Sequence, residues 1–488
     1  MRKYGVYIAF PPEVSLSQEG LGRYIALFLS AAIKRKDAQF LVACPSWMRP
    51  AITEICKASD PIGASVDFVG PKQVPAFLRL YERSRRKNHK LKKRATTGTG
   101  KSSYAPVHRV LRDAVTTRSP MVLRATLIWA ALVGVAVAPV VVARKDWKRK
   151  KKKNQRSSKL IPKSRIAARL VDRIHSLRDS IFRRMYKTMV EQEVAALREA
   201  IEERGDILAW YSPTSFWPHF NDIGRPRLLC VPDVVMTNFP VGFAREGREF
   251  EGSFRTVART IEGGTHFVTY SEHVKWVTLS DRFAIAPQSV HCIRHAPVDL
   301  SRLIQVTDVT DPEFATRSYC ESLLTNALGK SDKLDFLPLS ATTKFKFLFY
   351  ASQLRPSKNI LTLLRAYKHL LCERLLTHKL ILTCRGAGTE LDEFVTSNNL
   401  GADVLFLPRL SEPELAACYK LADLAVNPSL FEGGMPFTFA EALSVGTPVV
   451  MSDIEVTSEV LTEPRIRELT FFDPYSWKSM ADKIEWAL

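Results

Sequence analysis

The chain predicts an α/β protein with two doubly wound parallel sheets and a basic, partly apolar insert within the first. Three observations carry that expectation. Short apolar strand patterns alternate with amphipathic helix patterns near both ends of the chain, the rhythm of a parallel sheet. The alternation stops between roughly residues 79 and 204 and then resumes. Charge is segregated in the same way: residues 79–187 hold 32 Lys or Arg against 5 Asp or Glu, whereas the rest holds 39 against 45.

A length of 488 residues is enough for two domains with full cores. Apolar residues make up 46%, which argues against wholesale disorder. The formal net charge of +21 belongs to one segment, so it points to a local polyanion-binding surface and not to general nucleic-acid binding. Only Trp147 is interleaved with the run Lys148–Lys153, where a nucleic-acid surface would carry several aromatic side chains. The eight cysteines form no C-x-x-C pair and no zinc-like spacing with His, so they are expected to be reduced and mostly buried, as in a cytoplasmic protein. The start of the chain has no long apolar run before a cleavage site and reads as a strand.

In chain order, Tyr4–Phe10 is the first strand. Gly20-Leu21-Gly22-Arg23 opens a helical run, Tyr24–Ile33, and Gln39–Ala43 is the second strand. A basic stretch runs from Arg83 to Lys101. Ala125–Ala143 contains no charge, and Arg144, Lys145 and Lys148–Lys153 follow it. From Ser164 a helix carries Ile166, Leu170, Ile174, Leu177 and Ile181 on one stripe. Strands resume at Ile207–Tyr211, Arg227–Val231, His266–Tyr270 and Val290–Ile293. The organisation is thus a first Rossmann-like domain from residues 1–78 and 205–300, an insert at 79–204, a polar linker with some helix at 301–343, and a second domain at 344–488.

The second domain is the best specified. Phe345–Tyr350 is a strand, and Asn359 caps a helix whose stripe is Ile360, Leu363, Leu364 and Tyr367. Leu380–Cys384, Val404–Leu407 and Leu424–Asn427 are further strands. Ser411 and Glu414 form a capping box for a helix reaching about Leu421. Ligands of such sheets sit at the carboxyl ends of the strands, and two loops there carry suitable groups. Arg355 and Lys358 follow the first strand, a planar fork and a compact charge for phosphate. Phe431–Pro436 follows the fourth. Gly433 and Gly434 let backbone approach a ligand, Pro436 suits the first helical position, and Gly446 suits the residue after the helix. Free N–H groups at that helix start favour a phosphate. Glu432 lies at its mouth, and Glu441, within an otherwise apolar helix, is expected to lie outside the core.

The stretch Pro428–Ile454 resembles the signature of glycosyltransferase family 4, in which a Glu, a glycine-rich loop and a second Glu precede A-L/M-x-x-G-T-P-V-V. The strand and basic loop at 345–358 are similar to the family's other donor element. This resemblance covers most of 345–475 and implies the GT-B fold, two Rossmann-like domains facing a cleft. It implies that Arg355 and Lys358 hold the donor diphosphate. Glu432 would contact the sugar and Glu441 the nucleotide ribose, with Gly433, Gly434 and Met435 lying along sugar and phosphate. More weakly, Glu19–Arg23 is similar to the family's N-terminal glycine loop, which assigns Gly22 to the donor phosphates. Thr269–Glu272 and His291–His295 also match family segments, with a structural role the expected one for His295.

The chain departs from the pattern in places. Eight residues separate the glutamates instead of seven, Gln353 stands where Arg is common, and Pro232 occupies the place of a frequent His beside Asp233. Asp233 remains the candidate catalytic group with Glu432. The chain also stops where family members usually continue through further helices, so it is either naturally short or missing its end.

With no Asp-x-Asp, no metal and no cofactor are expected; the nucleotide sugar is a co-substrate, and retention of configuration is implied by the resemblance. The expected function is transfer of a sugar to a glycan or lipid-linked acceptor at the inner face of the cell membrane. The rival is a catalytically inactive membrane-bound scaffold of the same fold. The insert is expected to be monotopic. Ala125–Ala143 would dip into the leaflet, and the basic residues of 79–187 would lie on anionic headgroups, each adding ~1 kcal/mol.

Overall fold

The structure, a computed structural model, describes residues 1–14, 16, 20–59, 66–88, 117–119, 121–123, 125, 163–240, 248–330 and 345–488. It divides into two compact units, Met1–Tyr211 with Asp222–Pro226, and Ser212–Asn221 with Arg227–Leu488.

In the first unit β1 (Arg2–Tyr7), α1 (Gly20–Ile33), β2 (Ala38–Ala43), α2 (Met48–Ser59), β3 (Asp67–Val69), α3 (Ala76–Asn88), α4 (Lys163–Glu202) and β4 (Ala209–Ser212) follow one another. The strands lie in the order β3-β2-β1-β4, all parallel, with Val6 opposite both Val42 and Tyr211. Strand β1 ends three residues earlier than the apolar run suggests, because hydrophobicity continues into the loop beyond the ladder. Helix α1 starts a turn earlier than its apolar stripe. A Cβ on Gly22 there would lie 1.7 Å from the Leu16 carbonyl oxygen, so only glycine fits. Gly5 makes room in the same way for the buried Trp210 ring. Helices α3 and α4 pack through Phe77, Met185 and Met189, with Tyr81 stacked on Tyr186 at 4.4 Å.

Helix α4 is the helix expected from Ser164, and it runs 40 residues, to Glu202. The side chains of its proposed apolar stripe, 166–181, lie outside the described residues, as do 89–116 and 126–162, which include the expected membrane-dipping stretch and Lys148–Lys153. Among the described residues no helix is long and apolar enough to cross a membrane.

The second unit begins its regular elements with β5 (Arg227–Cys230), α5 (Val235–Asn238), α6 (Arg248–Glu262), β6 (Phe267–Thr269), a helical segment at Val274–Arg282 and β7 (Val290–Cys292). Strands β5, β6 and β7 pair in parallel in that order. Within the expected linker, α7 (Pro312–Gly329) is an 18-residue helix capped by Asp311. Residues 331–344 lie outside the description. The 312–329 stretch is more than a connection, since Cys320, Leu324, Ala327 and Leu328 of α7 are core.

The second sheet then forms from β8 (Phe347–Tyr350), β9 (Lys379–Leu382), β10 (Val404–Phe406), β11 (Leu424–Asn427), β12 (Val449–Ser452) and β13 (Phe471–Phe472). Its order is β10-β9-β8-β11-β12-β13, all parallel, the doubly wound arrangement with a switch point between β8 and β11. Between the strands lie α8 (Ile360–Cys372), α9 (Glu390–Ser397), α10 (Glu412–Leu421), α11 (Phe437–Ser444), α12 (Glu455–Val460) and α13 (Pro464–Thr470). Helix α14 (Trp477–Ala487) comes last.

The two-residue period of the strands divides the core. Leu348, Tyr350, Leu380, Leu382, Leu424 and Val426 point into the layer shared with α8 and α14. Phe347, Phe349, Ile381 and Ala425 point into the layer shared with α7 and α10. The capping box of Ser411 and Glu414 forms as expected. Asn359 is the N-cap of α8, but in the left-handed region (φ 52°) and without a side-chain cap; its amide instead donates to the Pro474 carbonyl at 2.8 Å.

Candidate active site

The loops after β8 and β11 meet at the carboxyl edge of the second sheet. Pro356–Lys358 forms a single tight turn, and the Leu430 amide donates to the Ser357 carbonyl at 2.8 Å, which ties the two loops together. Below them the Tyr350 and Ser429 hydroxyls are 3.1 Å apart and buried. Asn427 donates to Thr438 Oγ1 at 2.7 Å and accepts from the Ser429 amide, fixing the way the chain leaves β11.

This frame brings Lys358 and Glu432 into an ion pair at 2.5 Å, with both side chains mostly covered. Burial pulls the Lys358 ammonium down. The Glu432 carboxylate, with Tyr350 and Asp233, outweighs that pull and leaves it above its ordinary value. Arg355 is exposed at the start of the turn.

The glycine loop is packed, not merely permissive. A Cβ on Gly433 would lie 1.9 Å from the Pro232 carbonyl oxygen and 2.7 Å from Asp233 Cβ. On Gly434 it would meet Tyr270 Cβ at 2.7 Å. The turn after β5 and the loop after β11 are therefore in direct contact. Asp233 keeps exposed surface yet sits amid dense protein. That burial, reinforced by the Glu432 carboxylate, holds its carboxyl above the ordinary range, against the pull of Arg355, Lys358 and the Val235 amide.

Helix α11 starts after Pro436, which is its N-cap and not its first helical residue, and Gly446 follows its end with φ 80°. Met435 beside it is half-buried. Glu441 was expected to lie outside the core. It is instead buried (1% exposed) and accepts a hydrogen bond from the Tyr419 hydroxyl at 3.1 Å. The reason is that α11 packs against α10 along the face that carries it, and Tyr419 supplies the partner a buried carboxylate needs. His295 packs its ring on Phe437 at 4.4 Å and edge-on to Tyr270 at 5.3 Å.

Arg355, Lys358, Glu432, Gly433, Gly434, Met435 and Asp233 thus gather in one region of the second unit, with Glu441 on the helix beneath. Gly22 belongs to the first unit, where its close approach to Leu16 accounts for it. Sequence reasoning missed Tyr350, Ser429 and Tyr419, which carry no motif of their own. It also missed Ser271 and Glu459, although Ser271 stands inside Thr269–Glu272, a segment noted without a role.

A separate cavity of about 400 Å3 opens beside α5, lined by Met236, Thr237, Pro240, Phe254, Arg282 and Phe283. None of the donor candidates lines it, but Met236 is three residues beyond Asp233. Among the described residues no group of three or more His, Cys, Asp or Glu could hold a metal ion. No disulfide is present among the described cysteines; six are buried, Cys292 is partly so and Cys372 is exposed.

The fold is α/β of the GT-B type, with two parallel-sheet Rossmann-like domains. Residues 333–488 match the family model described as glycosyl transferases group 1. The O-antigen chain mannosyltransferase RfbU of Salmonella typhimurium is 36% identical over 112 residues, which are 22% of this chain. The match spans about a third of that relative's length, 31%. Among solved structures, the Candida albicans trehalose-6-phosphate phosphatase N-terminal domain superposes with a TM-score of 0.50 at 11% identity, over 100% of this chain and 88% of that one. A glycosyltransferase from Rickettsia africae superposes with a TM-score of 0.48 at 8% identity over the same shares.

Proposed function

We propose that this chain is a nucleotide-sugar-dependent glycosyltransferase of the hexosyltransferase type. The observation that carries the reading is the meeting of Lys358, Glu432 and Asp233 around a glycine loop that admits no side chain. The matched group 1 model over 333–488 supports it, and the mannosyltransferase relative suggests a hexose donor and a surface polysaccharide as product.

In this reading Arg355 and Lys358 take the donor diphosphate, joined by the first amides of α11. Glu432 turns from Lys358 to the sugar hydroxyls. The bond between the anomeric carbon and the diphosphate oxygen breaks, and the charge left on the diphosphate is stabilised by the two cations without a metal. The acceptor oxygen bonds to the same carbon on the same face, which retains configuration. Its proton passes to Asp233, whose raised pKa makes it a better base than an ordinary carboxylate. Glu441 holds the ribose from its buried position.

The acceptor is a glycan or a lipid-linked saccharide. The basic segment 79–187 attaches the protein to the inner face of the membrane. The first domain comprises 1–78 and 205–300, and the second 344–488. Donor Kd values for a panel of nucleotide sugars, followed by transfer assays with and without EDTA, test this function. Binding of one donor with transfer that survives chelation is the expected result. Loss on chelation restored by manganese removes the metal-free account. Donor binding without transfer or donor hydrolysis favours the inactive scaffold, for which Pro232 beside Asp233 is the specific argument.

A further inference from the structure

Residues 270–273, between β6 and the helical segment Val274–Arg282, make a set of contacts that the proposed chemistry does not use. Ser271 is fully buried. Its Oγ accepts the Val274 amide at 3.2 Å, so its single proton is free to donate, and it goes to the Gly433 carbonyl at 2.9 Å. The next two amides, those of Glu272 and His273, are among the N–H groups that a helix start leaves without a helical partner. The Glu459 carboxylate of α12 accepts both, Oε1 from Glu272 at 3.0 Å and Oε2 from His273 at 3.2 Å. Arg294 steadies that carboxylate at 3.4 Å. The Glu272 and His273 amides are thus held by a side chain from beyond β12, while Ser271 holds the glycine loop.

We propose that Ser271 and Glu459 are positioning residues for the donor site. Together they hold the 270–273 turn against α12 and the loop after β11, and so set the distance between Gly433 and Asp233. The inference rests on the glycosyltransferase reading. Gly433 lies so close to Pro232 and Asp233 that no side chain fits there, and the buried Ser271 hydroxyl donates to the carbonyl of that same residue. The Glu459 carboxylate meets two successive amides with both oxygens, which resists rotation as well as separation. Neither side chain bonds Arg355 or Lys358, the two cations assigned to the donor diphosphate. Loosening either therefore affects the alignment of donor with Asp233 more than it affects donor capture.

The test uses the full chain with Ser271→Ala, Glu459→Ala and Glu459→Gln, the last retaining one acceptor oxygen. Two measurements are made: hydrogen exchange of peptides covering 270–276 and 428–436, and steady-state transfer from the donor the wild type accepts. Both alanine variants are expected to exchange faster in the two peptides. Each is expected to lose about tenfold or more in kcat, with donor KM changed by less than about threefold, the pattern of misalignment. Glu459→Gln is expected to recover part of the loss. Wild-type exchange in both peptides overturns the proposal, whether or not the protein proves active. Equal kcat in folded variants overturns it too, as does a loss that resides wholly in KM. If the wild type transfers from no donor, the function fails on its own, and the exchange of the two peptides still decides whether the tether exists.

Discussion

Glu432, on the loop after β11, and Asp233, on the turn after β5, are both acidic candidates of one site, and they are held in different ways. Glu432 has a cation in contact: Lys358 pairs with it and is itself stabilised in its charged form by the pairing. Asp233 has none in direct contact among the described residues. Burial and the Glu432 charge push its carboxyl up, while Arg355 and Lys358 offset only part of that push. The difference separates two tasks. A paired carboxylate can exchange its cation for a ligand's hydroxyls, and the cation can then take a diphosphate. A desolvated carboxylate with a raised pKa is suited to receiving a proton.

The sharpest way to break the comparison is to remove the cation. Lys358→Ala should lower transfer by roughly 10²–10³ while the protein stays folded, since one charged group stabilising the leaving diphosphate is lost. A near-normal rate with the donor the wild type accepts would end the assignment of this site. Next in size is Gly433→Ala. Its methyl group would collide with the Pro232 carbonyl, so the loop must move away from Asp233. Transfer should fall about 10²-fold, as for a reacting group displaced by an ångström or so. A crystal structure of the variant with the loop unmoved would contradict this.

The third prediction concerns the carboxylate that proved to be buried. Glu441→Ala removes the buried oxygen to which the Tyr419 hydroxyl donates and should cost about 1–3 kcal/mol in chemical denaturation. Glu441→Gln keeps an acceptor and should fold normally, yet bind nucleotide more weakly. Equal stability of the two variants would show that Tyr419 does not depend on this oxygen.

The smallest effect is the pH dependence of Asp233→Asn. A carboxyl whose folded pKa is raised binds more protons folded than unfolded. Its contribution is present below the ordinary Asp value, about 3.9, and is lost as pH rises through the higher folded value. The Asn variant should therefore gain in melting temperature over the wild type at pH 7, and the gain should shrink towards pH 4. A gain that grows on acidification would mean the carboxyl is held down, as a paired one is.

Local signals alone determined much of this protein. Every second-domain strand up to β11 was legible because a buried parallel strand is an unbroken apolar run. The capping box at Ser411 and the glycine after α11 were legible because caps are chemical and short-range. The two candidate donor loops stood out by residues a strand end does not otherwise need: Arg355, Lys358, Glu432 and two successive glycines.

Only tertiary structure decided the rest. The left-handed Asn359, the burial of Glu441 under Tyr419, and the helix at Pro312–Gly329 all depend on what packs against them. The pairing of Lys358 with Glu432 and of Ser271 with Gly433 joins residues 74 and 162 positions apart. A hydroxyl or carboxylate has no periodicity to reveal its partner. Its role is set by which buried donor or acceptor the folded chain brings within about 3 Å of it.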